Sequence, residues 1–315
     1  MNVRAPGGFF VTLLGLPGIL GEPRNFALSG RARGMEITFW GTRGSIAAPG
    51  PKTVIFGGNT TCLQVTLSSG RTVVIDAGTG MRNLGDVLAS KSRSLELYLL
   101  MTHVHWDHLK GFPFFAPLFQ DRCHIILDGS PKGLEGLKNI FGARRVDGTW
   151  PISFEDLKAK IEHRQDLARG PLRIDDTIVD AHRIQHPQGG MGFKFSEKTG
   201  TFVFLTDNEL REDGWKNTCF KDFVEFCSGT DLLVHDCQYF PNELLVRKGW
   251  GHSDTQSVAE LAVKAEVGRL ILFHHDPWRT DEGVQELVSQ CSENVAQLRS
   301  NVPVEAATEG TSVRI

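Results

Sequence analysis

The stretch Leu95-Glu96-Leu97-Tyr98-Leu99-Leu100-Met101-Thr102-His103-Val104-His105-Trp106-Asp107-His108 decides how this chain is read. Its first seven residues are almost continuously apolar, the pattern of a strand covered on both faces. The strand runs straight into four imidazole and carboxylate groups within six residues. His103 and His105 are two apart, so on an extended segment they point to the same side. Asp107 and His108 are adjacent and cannot both face that way, but a turn there would let each pair hold a different metal ion. A plain run of surface polar residues is the competing reading. Four such groups at the end of a buried strand are costly to bring together without a cation, and imidazole with carboxylate suits zinc and similar first-row metals.

Short β-branched runs and glycine turns surround this segment. Glu36 to Trp40 reads as a strand ending in the turn Gly41-Thr42-Arg43-Gly44-Ser45. Cys62 to Leu67 and Thr72 to Ile75 read as paired strands, followed by Asp76-Ala77-Gly78-Thr79-Gly80 and a helix with Met81, Leu84, Val87 and Leu88 on one face. Further strands are expected at His124 to Leu127, Ile178 to Gln185, Phe193 to Phe195, Thr201 to Leu205, Leu232 to Val234 and Leu270 to Phe273. Ser253 with Gln256 reads as a capping box before Val258, Leu261, Ala262 and Ala265. A last helix carries Val284, Leu287, Val288, Cys291, Val295 and Leu298. Strands and helices mixed along the chain, each helix with one apolar stripe, imply one sandwich domain over residues 35–315.

The 315 residues are 40% apolar and 23% charged, with a formal net charge of −3. That balance speaks against a protein held to nucleic acid by bulk positive charge. Six scattered cysteines without a C-x-x-C pair read as reduced thiols, and hence as a cytoplasmic protein. No apolar run approaches the ~20 residues of a membrane span. Residues 1–34 lack strand or helix periodicity. Their apolar stretch, Phe9 to Leu20, is broken by Gly15, Pro17 and Gly18. They read as a disordered or non-native extension in preference to a signal peptide, with Met35 a candidate natural start.

The H-x-H-x-D-H pattern at the end of an apolar strand resembles the signature of the metallo-β-lactamase superfamily, and later motifs fall in that family's order. The resemblance implies an α+β fold, a four-layer αββα sandwich. It also implies a ligand set: His103, His105 and His186 on one metal, Asp107, His108 and His274 on the other, and Asp207 shared. His274 has a neighbour, His275, and the family pattern favours the histidine directly after the apolar run. Asp76 resembles an aspartate whose hydrogen bonds fix the ligand loop. Thr42-Arg43-Gly44-Ser45, Leu233-Val234-His235-Asp236 and Gly251-His252-Ser253 are similar to segments of ribonuclease Z and the phosphodiesterases related to it. There the second segment usually carries glutamate where this chain has Asp236.

Two divalent ions are therefore expected, zinc first with manganese or iron(II) as alternatives, sharing a bridging hydroxide that attacks phosphorus. Asp107, His252 and Asp236 form the expected catalytic group. His252 would assist the oxygens of the scissile phosphate, Asp236 would hold its tautomer, and Asp107 counts as ligand as well. Arg43 would either contact phosphate or simply be solvated. The segment Gly133 to Gly170, with Lys138, Arg144 and Arg145, does not resemble the glycine- and proline-rich arm with which tRNA-processing members grip substrate. The favoured substrate is thus a small phosphodiester such as a cyclic nucleotide, ahead of RNA. Lactone or thioester hydrolysis by the same metal pair is the alternative, and a non-catalytic scaffold ranks below both. No membrane partner is expected, and a homodimer is compatible with the sequence.

Overall fold

The computed structural model describes residues 34–90, 94–141, 152–210 and 218–315. Residues 1–33 of the expected extension, and Arg144 and Arg145, lie outside these. The strands are β1 (Glu36–Gly41), β2 (Cys62–Thr66), β3 (Thr72–Ile75), β4 (Leu95–Met101), β5 (Cys123–Gly129), β6 (Lys160–His163) and β7 (Leu172–Ile174). They continue with β8 (Thr177–Arg183), β9 (Met191–Glu197), β10 (Gly200–Leu205), β11 (Leu232–Asp236), β12 (Leu270–Phe273), β13 (Val304–Ala306) and β14 (Ser312–Arg314). The helices are α1 (Met81–Ala89), α2 (Gly133–Ile140), α3 (Phe220–Cys227), α4 (Pro241–Arg247), α5 (Thr255–Lys264) and α6 (Asp281–Gln297).

Two seven-stranded mixed sheets result, ordered β14-β1-β2-β3-β4-β5-β6 and β13-β12-β11-β10-β9-β8-β7. Alternating burial along β1 is what one packed face requires. The inter-sheet core collects Ile37, Phe39, Leu63, Val65, Leu100, Phe193, Phe195, Phe202, Phe204, Val234 and Phe273. Phe204 and Phe273 meet edge to face at 5.3 Å, and each buried phenylalanine contributes about 1.5–3 kcal/mol. A second core joins the outer face of the first sheet, through Leu97, Leu99 and Met101, to α1 and α2. A third joins the second sheet to α3, α5 and α6. β4 thus supplies apolar side chains to both its faces, and the layers run helix, sheet, sheet, helix, the expected αββα sandwich.

Two details differ from the sequence reading. Val87 is exposed on α1, whose packed face is Met81, Leu84, Gly85 and Leu88. Val87 is six residues, roughly 240° of helical rotation, from Met81. The cap of α5 is Asp254, whose carboxylate accepts from the Gln256 and Ser257 amides. Ser253 is turned inward instead, its Oγ donating to Asn208 O at 2.6 Å. All six cysteines are free thiols. No described helix is long and apolar enough to cross a membrane.

The topology decides where chemistry can occur. β3 and β4 run parallel in the first sheet, as do β10, β11 and β12 in the second. β8 also runs with β10, because β9 is antiparallel to both. Their C-terminal ends release Asp76, His103, His186, Asp207, Asp236 and His274 at one edge, the customary place for a site on parallel strands.

Candidate metal centre

His103, His105, His186 and Asp207 offer ligand atoms that all lie within 4.8 Å of one another, and so do Asp107, His108, Asp207 and His274. Asp207 belongs to both groups. The structure therefore brings together all seven residues expected as ligands, divided as expected between two positions. Within the second group, His274 Nε2 lies 3.2 Å from both Asp107 Oδ2 and Asp207 Oδ2. His275 does not join. Its Nε2 turns to Ala307 O at 2.9 Å, and burial pulls its pKa down to about 3.

The donor set fits a metal pair. His103 Nε2 and His108 Nε2 are buried without any hydrogen-bond partner. His108 Nε2 lies 3.3 Å from Asp107 and 3.2 Å from Asp207, yet makes a hydrogen bond with neither. Buried ring nitrogens beside carboxylates are expensive to leave unpaired, and a cation resolves them. Burial, and then the neighbouring His108, holds the His103 pKa well below the usual imidazole range. Burial likewise lowers His186 to about 4, so both rings are neutral, as ligation requires. Burial alone would raise Asp107 and Asp207. The surrounding imidazoles outweigh it, His108 on Asp107 and His274 with His108 on Asp207, and both carboxyls lie well below their ordinary range. For His108, burial is outweighed by Asp107, Asp207 and Asp76, which raise its pKa. The carboxylates draw positive charge, whether proton or metal.

His108, Asp107 and His274 are each fixed from behind. Asp76 Oδ2 accepts from His108 Nδ1 at 2.8 Å and from Thr102 Oγ1 at 2.7 Å, while Oδ1 takes the Thr102 amide at 2.8 Å. Asp107 Oδ2 accepts the Ser45 amide at 2.7 Å, which gives the Gly44-Ser45 turn its place in the site. Gln238 Nε2 sits 2.8 Å from His274 Nδ1. Asp76, Asp207 and His274 all take left-handed backbone conformations, at φ 59°, 52° and 58°, within two residues of the ends of their strands.

Beside the metal groups, Asp236 Oδ2 accepts from His252 Nδ1 at 2.7 Å and Asp236 Oδ1 accepts the Ser253 amide at 2.9 Å. Asp236 also lies 3.5 Å from His274 Nδ1. That nitrogen faces away from the metal groups, so Asp236, His252 and His274 form a supporting chain and not a third metal position. Burial lowers the His252 pKa, but the Asp236 charge and hydrogen bond outweigh it and raise the ring to about 9. His252 lines a cavity of about 430 Å³ with Ser45, His105, Trp106, Asp107, His186, Asp207 and Trp250.

Arg43 is neither solvated nor near this cavity. It is fully buried, its Nε donating to Gly57 O at 2.7 Å and Nη1 to Asp276 O and Arg279 O at 3.0 and 2.7 Å. It anchors loops, so the expected phosphate contact is withdrawn.

Sequence reasoning missed Asn208 and Glu209. Asn208 Oδ1 accepts the Gln185 amide at 2.8 Å, next to His186. Glu209 accepts the Gly249 and Gly251 amides at 2.7 and 3.0 Å and so fixes the turn that presents His252. Gly251 has φ +93°, and a Cβ there would lie 2.0 Å from His186 Nδ1. The available signal was the polar run Asp207-Asn208-Glu209 directly after an apolar strand.

The family model for the β-lactamase superfamily domain matches residues 71–275, most of the chain and nearly all of this site. The chain belongs to the metallo-β-lactamase superfamily. Among curated relatives it is similar to the ribonuclease BN of Salmonella typhimurium, 24% identical over 61% of this chain and 75% of that protein. Among solved structures it resembles the metallo-β-lactamase fold protein YhfI of Bacillus subtilis, at TM-score 0.65 and 17% identity over 90% of this chain and all of that one. It also resembles a diphosphatase of the PhnP family, at TM-score 0.62 and 17% identity over 89% of this chain and 98% of that one. At those identities the two structures speak for the fold alone.

Proposed function

We propose that this superfamily member hydrolyses small phosphodiesters, such as a cyclic nucleotide, with two divalent ions. His103, His105 and His186 would hold one ion, Asp107, His108 and His274 the other, and Asp207 both. Bound there, the ions supply Lewis-acid charge and acidify water. Zinc suits the five imidazoles and two carboxylates, with manganese or iron(II) the alternatives.

The observation that carries phosphoester chemistry is the Asp236–His252 pair on the cavity wall. Asp236 occupies Nδ1, which leaves Nε2 as the nitrogen presented to a bound substrate. The Asp236 charge and hydrogen bond favour the protonated ring, so His252 can give the Nε2 proton to a departing alkoxide. Lactone opening by the same metals, which also expels an alkoxide, is the alternative. Similarity to a ribonuclease supports the phosphoester reading. The size of the cavity favours a small ester over RNA.

The test compares two diesters in the metal-loaded protein. His252→Ala should lower turnover of a diester with a poor leaving group by the ~10²–10⁴-fold of lost acid catalysis. A p-nitrophenyl diester, whose leaving group needs little protonation, should lose much less. Equal losses would give His252 a positioning role instead. Far faster cleavage of lactones or thioesters than of any phosphodiester by the unmodified protein would overturn the substrate assignment.

A further inference from the structure

Tryptophan buries more apolar area than almost any other side chain, so a well-exposed one needs an account. Trp106 is 72% exposed and Trp250 59%, and both wall the same cavity as His252 and Asp207. Neither ring holds the cluster together. Trp106 lies between His105 and Asp107 in the ligand turn, yet its indole faces out, with Lys110 Nζ 4.1 Å above the ring centroid. Trp250 precedes Gly251 in the turn held by Glu209, so the device that places His252 also places this indole. Two turns of unrelated sequence thus carry an exposed indole to one small cavity.

Building on the phosphodiesterase reading, we propose that Trp106 and Trp250 form a nucleobase-stacking site and that the substrate is a nucleoside phosphodiester. An ester whose phosphate lies at the His/Asp cluster must lay one of its two organic groups along the cavity wall. The wall there is indole. A flat, electron-poor heteroaromatic base is the group that gains most from an indole face, and stacking tolerates any base because each has a π-face. Lys110, whose Nζ lies 4.1 Å from the Trp106 ring centroid, covers one face of that indole and adds a positive charge for an anionic substrate, so the base would stack on the other face. The pair therefore sets specificity for the organic group, while the His/Asp cluster and His252 deal with phosphorus.

The test uses AMP and ribose 5-phosphate, which carries a hydroxyl where AMP carries the base, titrated calorimetrically into the metal-loaded protein. AMP should bind at least about tenfold tighter. Trp106→Ala and Trp250→Ala should each reduce that ratio by about 5- to 100-fold or down to unity, the size of a lost base–aromatic stack. Trp106→Phe keeps a ring and should preserve most of the ratio even if alanine disturbs the ligand turn. Trp278→Ala, 84% exposed but outside this cavity, should leave the ratio unchanged. Equal affinity for the two ligands overturns the proposal, as does a ratio that survives both alanine variants. Failure of the underlying reading shows separately. A protein that binds AMP through the indoles but cleaves no p-nitrophenyl phosphodiester loses the activity and keeps the base site. One that cleaves such diesters with a binding ratio of one loses only the base site.

Discussion

Replacing Arg43 with methionine should destabilise the fold by about 3–5 kcal/mol without first weakening substrate binding. The guanidinium donates three hydrogen bonds to the carbonyls of Gly57, Asp276 and Arg279, and its Nη2 lies 3.9 Å from Asp281. Hydrogen bonds from a charged donor contribute about 1.5–3 kcal/mol each. Their gross sum overstates the loss, because removing a buried charge also removes its desolvation penalty. Burial is in fact the largest influence on this guanidinium and lowers its pKa. Asp281 keeps the Ile55 and Phe56 amides as partners, so it is not stranded. What remains is one buried carbonyl, Asp276, and two half-buried ones, Gly57 and Arg279, without this donor, which gives the net figure. Urea unfolding of the metal-free protein measures it as a lower midpoint at unchanged slope. Arg43→Lys should fall in between, since a point charge cannot reproduce the fork that reaches separate loops. The same turn places Ser45 N on Asp107 and pairs Gly44 N with His275 O, so metal retention should fall with stability. The reasoning is refuted if Arg43→Met costs less than about 1 kcal/mol while KM for a phosphodiester rises, an outcome that would return Arg43 to the substrate.

Elemental analysis after reconstitution should find close to two metal equivalents, falling at both positions in Asp207→Ala. In His274→Ala the position formed by His103, His105 and His186 should survive, and loss of both metals there would refute the division of ligands. Gly251→Ala adds a methyl 2.0 Å from His186 Nδ1 at a φ of +93° and should cost about 2–5 kcal/mol through strain and overpacking. It should also impair metal binding at the His186 position, and wild-type metal content with an unchanged urea midpoint would show that the turn relaxes freely.

Legibility in the sequence follows burial. The interior strands were readable because their runs are either apolar throughout, as in Leu97 to Met101 and Leu232 to Val234, or alternate in burial, as in β1. The four strands that sequence did not announce, β6, β7, β13 and β14, are the four edges of the two sheets. Edge strands are short and polar, as in Lys160-Ile161-Glu162-His163 and Ser312-Val313-Arg314, and nothing in their composition separates them from loops. The seven candidate ligands were visible because imidazole and carboxylate at strand ends are chemically distinctive. Asn208 and Glu209 act on backbone amides brought from elsewhere in the chain, a role that no local pattern encodes. Arg43 was misread for the same reason, since a turn arginine looks solvated until the loops that enclose it are in place.

The left-handed backbone at Asp76, Asp207 and His274 bears on how such a protein changes through descent. Each such residue carries on the order of 1 kcal/mol of strain that glycine would relieve. At Asp207 and His274, glycine would also dissolve a crowded cluster of buried charge. A lineage still dependent on its metals must tolerate that strain. Once the metals cease to matter, stability alone favours the substitution, and drift should settle there early. A relative with glycine at the counterpart of Asp207 or His274 can therefore be recognised as having abandoned the chemistry while keeping the sandwich.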